Sequence, residues 1–326
     1  MDWMRLSRDV LDGNAVSRDQ ALAMLDAPDD DLLSLLDAAF AIRRRSFGLG
    51  VSLHVIRNAR SGQCSEDCSY CSQAATAASP IESYPLQTVE QILDGARQAR
   101  QMKARRYCIV TSGREPSASD LDVICAAARG IKSEMSIELC ASLGLLTDAE
   151  ARQLRQSGVD RCNHNLETSE RYYPRICSTH TFADRVATAR SVKSAGLQLC
   201  SGGLIGVGES HEDRVALAFA LRAVQADSIP VNFFDPRPGT PLAGHPPLRP
   251  TDGLRALAMF RFVHPEREVR VAGGRERCLG ALQALALYAA DSLFTSGYLT
   301  TPGQGYEADR KMIEAAGFHV VDITDA

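Results

Sequence analysis

The chain has 326 residues, 45% of them hydrophobic and 23% charged, and a net charge of −4. That is enough apolar material for two average domains or one large α/β barrel, and no basic block suggests a nucleic-acid footprint, so a small-molecule substrate is expected. Met1-Asp2-Trp3-Met4-Arg5 lacks the apolar core of a signal peptide, and the longest apolar run, around Leu279 to Leu293, is broken by Gln283 and Asp291, so no membrane span is expected. Ten cysteines without an export signal point to a reducing cytoplasm and to metal chemistry.

Residues 1–48 read as a polar helical extension. Ser17-Arg18-Asp19-Gln20 has the form of a capped helix start, and Asp29-Asp30-Asp31 opens a second helix with Leu32, Leu33, Leu35, Leu36, Ala39 and Phe40 as its apolar positions. From 49 to 326 short apolar runs alternate with helical stretches. Strands are predicted at 51–56, 106–111, 135–140, 161–166, 197–202, 228–233, 268–271 and 291–294, with helices at 88–102, 117–133, 148–156 and 181–195 among the connections. Parallel strands joined by helical crossovers, eight times over, make a (β/α)8 TIM-type barrel preceded by a helical extension. No linker or low-complexity tract divides the series.

The densest chemistry is Cys64-Ser65-Glu66-Asp67-Cys68-Ser69-Tyr70-Cys71, a C-x3-C-x2-C loop. Three thiolates this close leave one over if they pair as disulfides, but all three can hold one iron–sulfur cluster. A 4Fe-4S cluster held by three cysteines keeps one iron open for another molecule. A structural zinc site would need a second C-x2-C pair, and the chain has none.

Barrel enzymes place their chemistry at the C-terminal ends of strands. There the sequence sets Cys108, Cys140 and Cys200 on three strands, Asn163 and Asn165 on one face of a fourth, Asn232 on the sixth and Arg270 on the seventh. Any one buried cysteine can be a small hydrophobe, and an inward Arg can simply pair with a carboxylate. Three cysteines on separate strands below a cluster loop suggest a second metal site. Cys162 falls on the face opposite Asn163 and reads as core, and Cys125 and Cys278 read as structural. Cys177 follows the Asn-His-Asn strand and reads first as a core or loop thiol, with approach to the barrel mouth and a place in a larger auxiliary cluster as the alternative.

The cysteine spacing is that of the radical S-adenosylmethionine enzymes, and several stretches resemble the biotin synthases within them. They are Ser61-Gly62-Gln63-Cys64 through Gln73, Tyr107-Cys108, Glu138-Leu139-Cys140, Asn163-His164-Asn165-Leu166-Glu167-Thr168-Ser169, Cys200-Ser201-Gly202-Gly203, Asn232 with Gly239-Thr240-Pro241-Leu242, Val269-Arg270 with Gly274-Arg275-Glu276, and Tyr298-Leu299-Thr300-Thr301. The resemblance implies a homodimer that converts dethiobiotin to biotin, with electrons from flavodoxin or ferredoxin. It implies that Cys64, Cys68 and Cys71 hold a 4Fe-4S cluster, with S-adenosylmethionine on the open iron. It implies that Cys108, Cys140, Cys200 and Arg270 hold a 2Fe-2S cluster, or a larger auxiliary one, that donates the sulfur. By the same resemblance Asn163, Asn165 and Asn232 contact the ureido ring and the ribose, Glu167 the ribose and Arg185 the methionine carboxylate. The Tyr70 backbone and the Gly-rich run through Leu204 are expected beside the adenine. Two other readings are a maturase of a metal cofactor on the same barrel and a redox-sensing iron–sulfur or zinc protein. Neither calls for three strand cysteines together with Arg270 and an amide-lined barrel.

Overall fold

The computed structural model describes residues 1–62 and 64–322; Gln63 of the motif and residues 323–326 of the expected barrel span lie outside the described residues. Three helices come first: α1 (Trp3–Leu11), α2 (Arg18–Leu25) and α3 (Leu32–Phe47), the last entered through a 3-10 turn at Asp29–Asp31. Helices α2 and α3 pack over α9 (Pro250–Val263), α1 packs on α3, and Leu6, Leu35, Leu36 and Ile42 join the main apolar core. Buried Arg43 fastens α3 to the barrel by donating to the carbonyls of Ala290 at 3.0 Å and Gly50 at 2.6 Å.

The barrel strands and crossovers run β1 (Gly50–Arg60), α4 (Val89–Gln101), β2 (Arg106–Thr111), α5 (Ala118–Glu134), β3 (Glu138–Ser142), α6 (Asp148–Gln156) and β4 (Arg161–Asn163). They continue with α7 (Phe182–Ser194), β5 (Gln198–Cys200), β6 (Gly203–Ile205), α8 (His211–Ala223), β7 (Ser228–Phe233), α9 and β8 (Glu268–Val271). The series ends with α10 (Arg275–Leu279), β9 (Ser292–Thr295), α11 (Tyr306–Ala315) and β10 (His319–Val321). The helix starts are written locally. Helices α2, α4, α5, α6, α7 and α8 each open with a capping box, from Ser17/Gln20 to Ser210/Asp213, which satisfies end N–H groups that the helix itself leaves unpaired.

All pairings in the sheet are parallel, and β1 pairs β9 to close the ring. The register steps by two residues where Cys140 faces Arg161, Cys200 faces Ser228, Arg270 faces Ser292 and Phe294 faces His54. Those four steps give a total shear of eight, the value of a (β/α)8 barrel. Every expected barrel strand is present. The third starts later, at Glu138, and the fourth and fifth stop earlier, at Asn163 and Cys200.

The fifth strand breaks because Gly202 and Gly203 lie against neighbouring backbone. A Cβ on Gly202 would sit 1.9 Å from the Pro230 carbonyl oxygen, and one on Gly203 would sit 2.4 Å from that of Glu167. The chain then resumes as β6, which pairs β7 through Leu204↔Asn232. Neither β6 nor β10, which extends the foot of β1, is expected from the apolar pattern. Among the described residues no helix is long and apolar enough to cross a membrane.

Candidate active site

At the C-terminal ends of the strands a cavity of about 410 Å³ opens. Its lining includes Cys64, Cys68 and Cys71 at the mouth, Cys108, Cys140, Cys200 and Arg270 deeper in the barrel, and Asn163, Asn165 and Asn232. This is the size range of a small-molecule site.

The mouth triad sits on irregular chain between β1 and α4. A tight turn links the Cys71 N–H to the Cys68 carbonyl at 3.0 Å, and the Gln73 N–H donates to Cys71 Sγ at 3.4 Å. Burial pushes the Cys71 thiol up to about 11, and the Gln73 amide aimed at its sulfur opposes that rise. The acidic residues of the loop are its tethers. Asp67 accepts from the N–H groups of Ser178 at 2.9 Å and Thr179 at 3.2 Å, and Glu66 accepts from the Thr179 hydroxyl at 2.6 Å and from His180. Burial pushes the Asp67 carboxyl up, but hydrogen bonds from Ser178 and its neighbours outweigh this and leave it well below the ordinary carboxylate range.

Behind the loop, Glu167 adopts a left-handed backbone (φ 66°), held as its N–H donates to Gly202 O at 3.1 Å and its carbonyl accepts from Leu204 at 2.8 Å. Burial raises its carboxyl while Arg185 opposes the rise, and both Asn165 and Tyr70 hydrogen-bond to it. Arg185 donates to Asn165 O at 3.0 Å, to His180 Nε2 at 2.9 Å and to the Tyr173 hydroxyl, which uses three of its five N–H donors. Tyr70, Asn165, Glu167 and Arg185 therefore meet on one wall. Leu204 does not line the cavity; it packs with Cys68, Tyr173 and Val207 beneath the loop.

Cys177 lies on the side of the mouth loop. Its Sγ is 3.8 Å from Cys68 Sγ, and it does not join the strand cysteines. Cys68, Cys177 and His180 bring three potential ligand atoms within 4.8 Å of one another. His180, however, turns Nδ1 to Glu66 and accepts Arg185 on Nε2, so its lone pair is already taken. Cys162 is fully buried in the main core, as expected, and so are Cys125 and Cys278.

The deep triad is built by register. Cys108 faces Cys140 across β2 and β3, and Cys200 faces Asn163 across β4 and β5. Asn163 Nδ2 lies 3.3 Å from both Cys200 Sγ and Asn165 Oδ1. The hydrogen bond from Cys140 pulls the Cys108 thiol below its usual range, while that same bond pushes Cys140 up. Asn232 donates to Gly203 O at 3.2 Å and accepts from Gly273 N at 3.0 Å, which fixes its amide orientation.

Below this level runs a second inward ring that local sequence pattern does not single out. His54, Arg106, Glu138, Arg161, Ser228, Glu268 and Ser292 each stand two residues before an inward residue of the cysteine level. Glu268 is the hub. Its carboxylate accepts from Arg106 at 3.0 Å, Arg161 at 3.3 Å, Ser228 at 2.9 Å, Ser292 at 3.2 Å and Arg270. Burial alone would raise Glu268, yet Arg106 and Arg270 hold it well below the usual carboxylate range, and burial with those same cations keeps His54 neutral. The period of two, applied downward from Cys108 and Arg270, is the signal that would have found the ring.

The comparisons agree with this geometry. A profile described as the Radical SAM superfamily matches residues 59–221, and one described as the Biotin and Thiamin Synthesis associated domain matches residues 230–319. The biotin synthase of Salinibacter ruber is 51% identical over 323 residues, covering 99% of this chain and 90% of the relative. That of Lysinibacillus sphaericus is 48% identical over 320 residues, covering 98% of this chain and 97% of the relative. Among solved structures, methylornithine synthase superposes with a TM-score of 0.86 at 21% identity, covering 98% of both chains. A maturase of the [FeFe]-hydrogenase gives 0.84 at 14%, covering 98% of this chain and 75% of the other. At those identities the two structures speak for the fold alone.

Proposed function

The chain belongs to the biotin synthase family of radical S-adenosylmethionine enzymes, and from that premise we infer that it inserts sulfur into dethiobiotin to form biotin. The observation that carries the reading is two thiol triads at two depths of one cavity, with Asn163, Asn165 and Asn232 on the same walls. Both donor sets fit iron–sulfur clusters, because each gathers three soft ligands where the chain places no disulfide. When bound, the 4Fe-4S cluster and S-adenosylmethionine supply a 5′-deoxyadenosyl radical for each C–H bond attacked, and the auxiliary cluster supplies the sulfur.

Cys64, Cys68 and Cys71 would hold the 4Fe-4S cluster. Arg185 keeps two N–H donors for the methionine carboxylate, and Glu167 with Asn165 takes the ribose hydroxyls. Tyr70 brings its backbone to the adenine, and Leu204 supports that wall from behind. Cys108, Cys140 and Cys200, with Arg270, would hold the auxiliary 2Fe-2S cluster, which would supply the sulfur. The amides of Asn163 and Asn232 orient the neutral ureido ring without burying a charge, and the pinned Asn232 keeps one N–H and one lone pair for it. Leu299, Thr300 and Thr301 line the same cavity and help to keep water from the reacting C–H bonds. The enzyme works as a cytoplasmic homodimer that draws electrons from flavodoxin or ferredoxin.

The deciding experiment is anaerobic reconstitution, with iron and sulfide analysis, Mössbauer spectra and an assay of biotin formed from dethiobiotin. Two distinct clusters and biotin formation are expected. Cleavage of S-adenosylmethionine with a single 4Fe-4S cluster and no biotin would overturn the sulfur-insertion reading.

A further inference from the structure

The ring of charge beneath the cysteine level is more than ballast for the barrel floor. Arg270 is fully buried, and its two terminal nitrogens have different partners. Nη2 is held by Glu268 and by Ser228 Oγ at 2.8 Å, whereas Nη1 reaches up to Cys200 Sγ at 3.5 Å. The remaining nitrogen, Nε, is buried without a hydrogen-bond partner among the described residues. The guanidinium plane also lies over Phe294, 4.9 Å from its ring centroid, so the side chain is fixed on its face as well as its lower edge. Only the upper edge is left for whatever the three cysteines hold.

We propose that Glu268 is the positioning residue that presents Nη1 of Arg270 to the auxiliary cluster, a role that rests on the reading of Cys108, Cys140 and Cys200 as ligands of that cluster. Three guanidiniums, those of Arg106, Arg161 and Arg270, converge on this floor and repel one another in a site from which water is largely excluded. Among the described residues Glu268 is the one carboxylate that touches all three. It draws Arg270 downward by one nitrogen and thereby aims the other upward. A fixed lower partner that orients an upper ligand is the arrangement by which metal sites hold ligand geometry, and its loss costs about 10- to 100-fold in affinity or activity. Glu138 is the internal control: it binds Arg105 at 2.9 Å and Arg106 at the rim of the same floor, and it makes no hydrogen bond or ion pair with Arg270.

The test compares Glu268→Gln, Glu268→Asp and Glu138→Gln in the full-length protein after anaerobic reconstitution. The readouts are the Mössbauer and visible signatures of the auxiliary cluster, its reduction potential, biotin formed per auxiliary cluster, and thermal midpoint. Glu268→Gln is expected to change the auxiliary signature, move its potential upward and lower biotin formation by about tenfold or more. The 4Fe-4S signature and S-adenosylmethionine cleavage stay near wild type. Glu268→Asp keeps the charge but retracts the carboxylate, so its signature falls between the two, and it stands as the test if the Gln variant does not fold. Glu138→Gln lowers the thermal midpoint and leaves the auxiliary signature unchanged. The proposal is overturned if Glu268→Asp, or a folded Glu268→Gln, has the wild-type auxiliary signature, or if Glu138→Gln changes it equally. A wild-type protein without any second cluster is a different outcome, since it removes the auxiliary-cluster reading itself.

Discussion

The two thiol triads are built by opposite means. The mouth triad lies on irregular chain, with Cys64 and Cys71 half-buried and the loop tied across to 176–180 by Glu66 and Asp67. The deep triad stands on three strands, and Cys108, Cys140 and Cys200 are 4%, 1% and 1% exposed. A centre that must accept and release a soluble cofactor at every turnover needs an edge open to solvent, which a loop supplies. In the proposed function the deep centre gives up its own sulfur, and a barrel interior supplies the seclusion from water and other thiols that this requires. The loop triad also exists as a spacing in the unfolded chain, whereas the deep triad comes into being only with the register of the sheet.

The sharpest way to break that contrast is to remove one ligand from each side. Cys68→Ala is expected to abolish reductive cleavage of S-adenosylmethionine, read as 5′-deoxyadenosine, and with it all biotin formation. Near-normal cleavage would sink the loop assignment. Because Cys177 Sγ lies 3.8 Å from Cys68 Sγ, any residual cleavage should vanish in Cys68→Ala/Cys177→Ala, which would mark Cys177 as a stand-in thiol.

Cys140→Ala should split the two activities. Cleavage persists because the mouth loop is untouched, and biotin formation stops because the auxiliary cluster loses a thiolate. An unchanged biotin yield would rule Cys140 out of sulfur donation. Arg270→Ala is milder, about 10- to 100-fold in biotin formation, since a guanidinium holds its proton too tightly to be a strong metal ligand. Complete loss of the auxiliary cluster in that variant would place Arg270 on a par with the cysteines.

Legibility followed the same divide. The mouth cysteines were readable because their spacing is local, and the strand cysteines because period-two alternation in eight short apolar runs set Cys108, Cys140 and Cys200 on separate strands. What remained hidden depends on register. Arg106, Glu138 and Glu268 resemble solvated strand ends in a linear reading. They point inward only because each sits two residues below a cavity residue in a closed ring. The resemblance sets the Gly-rich run through Leu204 beside the adenine, and what no local pattern shows is that the break at Gly202 and Gly203 packs the Leu204 side chain beneath Cys68. The sequence lets Cys177 approach the barrel mouth, but its 3.8 Å approach to Cys68 is not legible there, since the turn that carries it is shaped by Asp67 from across the loop.

The smallest effect tests how far the mouth depends on distant support. Asp213, the N3 residue of the α8 capping box, accepts from Ser169 at 2.6 Å and from Arg171 at 2.7 Å, and so ties the segment behind the cysteine loop to a helix start. Burial pushes its carboxyl up, but the hydrogen bonds from Ser169, Ser210 and Arg171 outweigh this and hold it below the ordinary range. A depressed carboxyl adds stability that is complete above the unfolded-state pKa and is lost as pH falls through the folded one. Asp213→Asn should therefore cost about 2 kcal/mol near neutral pH, and the gap from wild type should close as the pH falls below about 4. Denaturant unfolding at several pH values measures both. A gap that stays constant into acid would mean that Asp213 acts through shape and not charge. A loss of auxiliary-cluster signal in this variant would mean that the two regions are less separable than their construction implies.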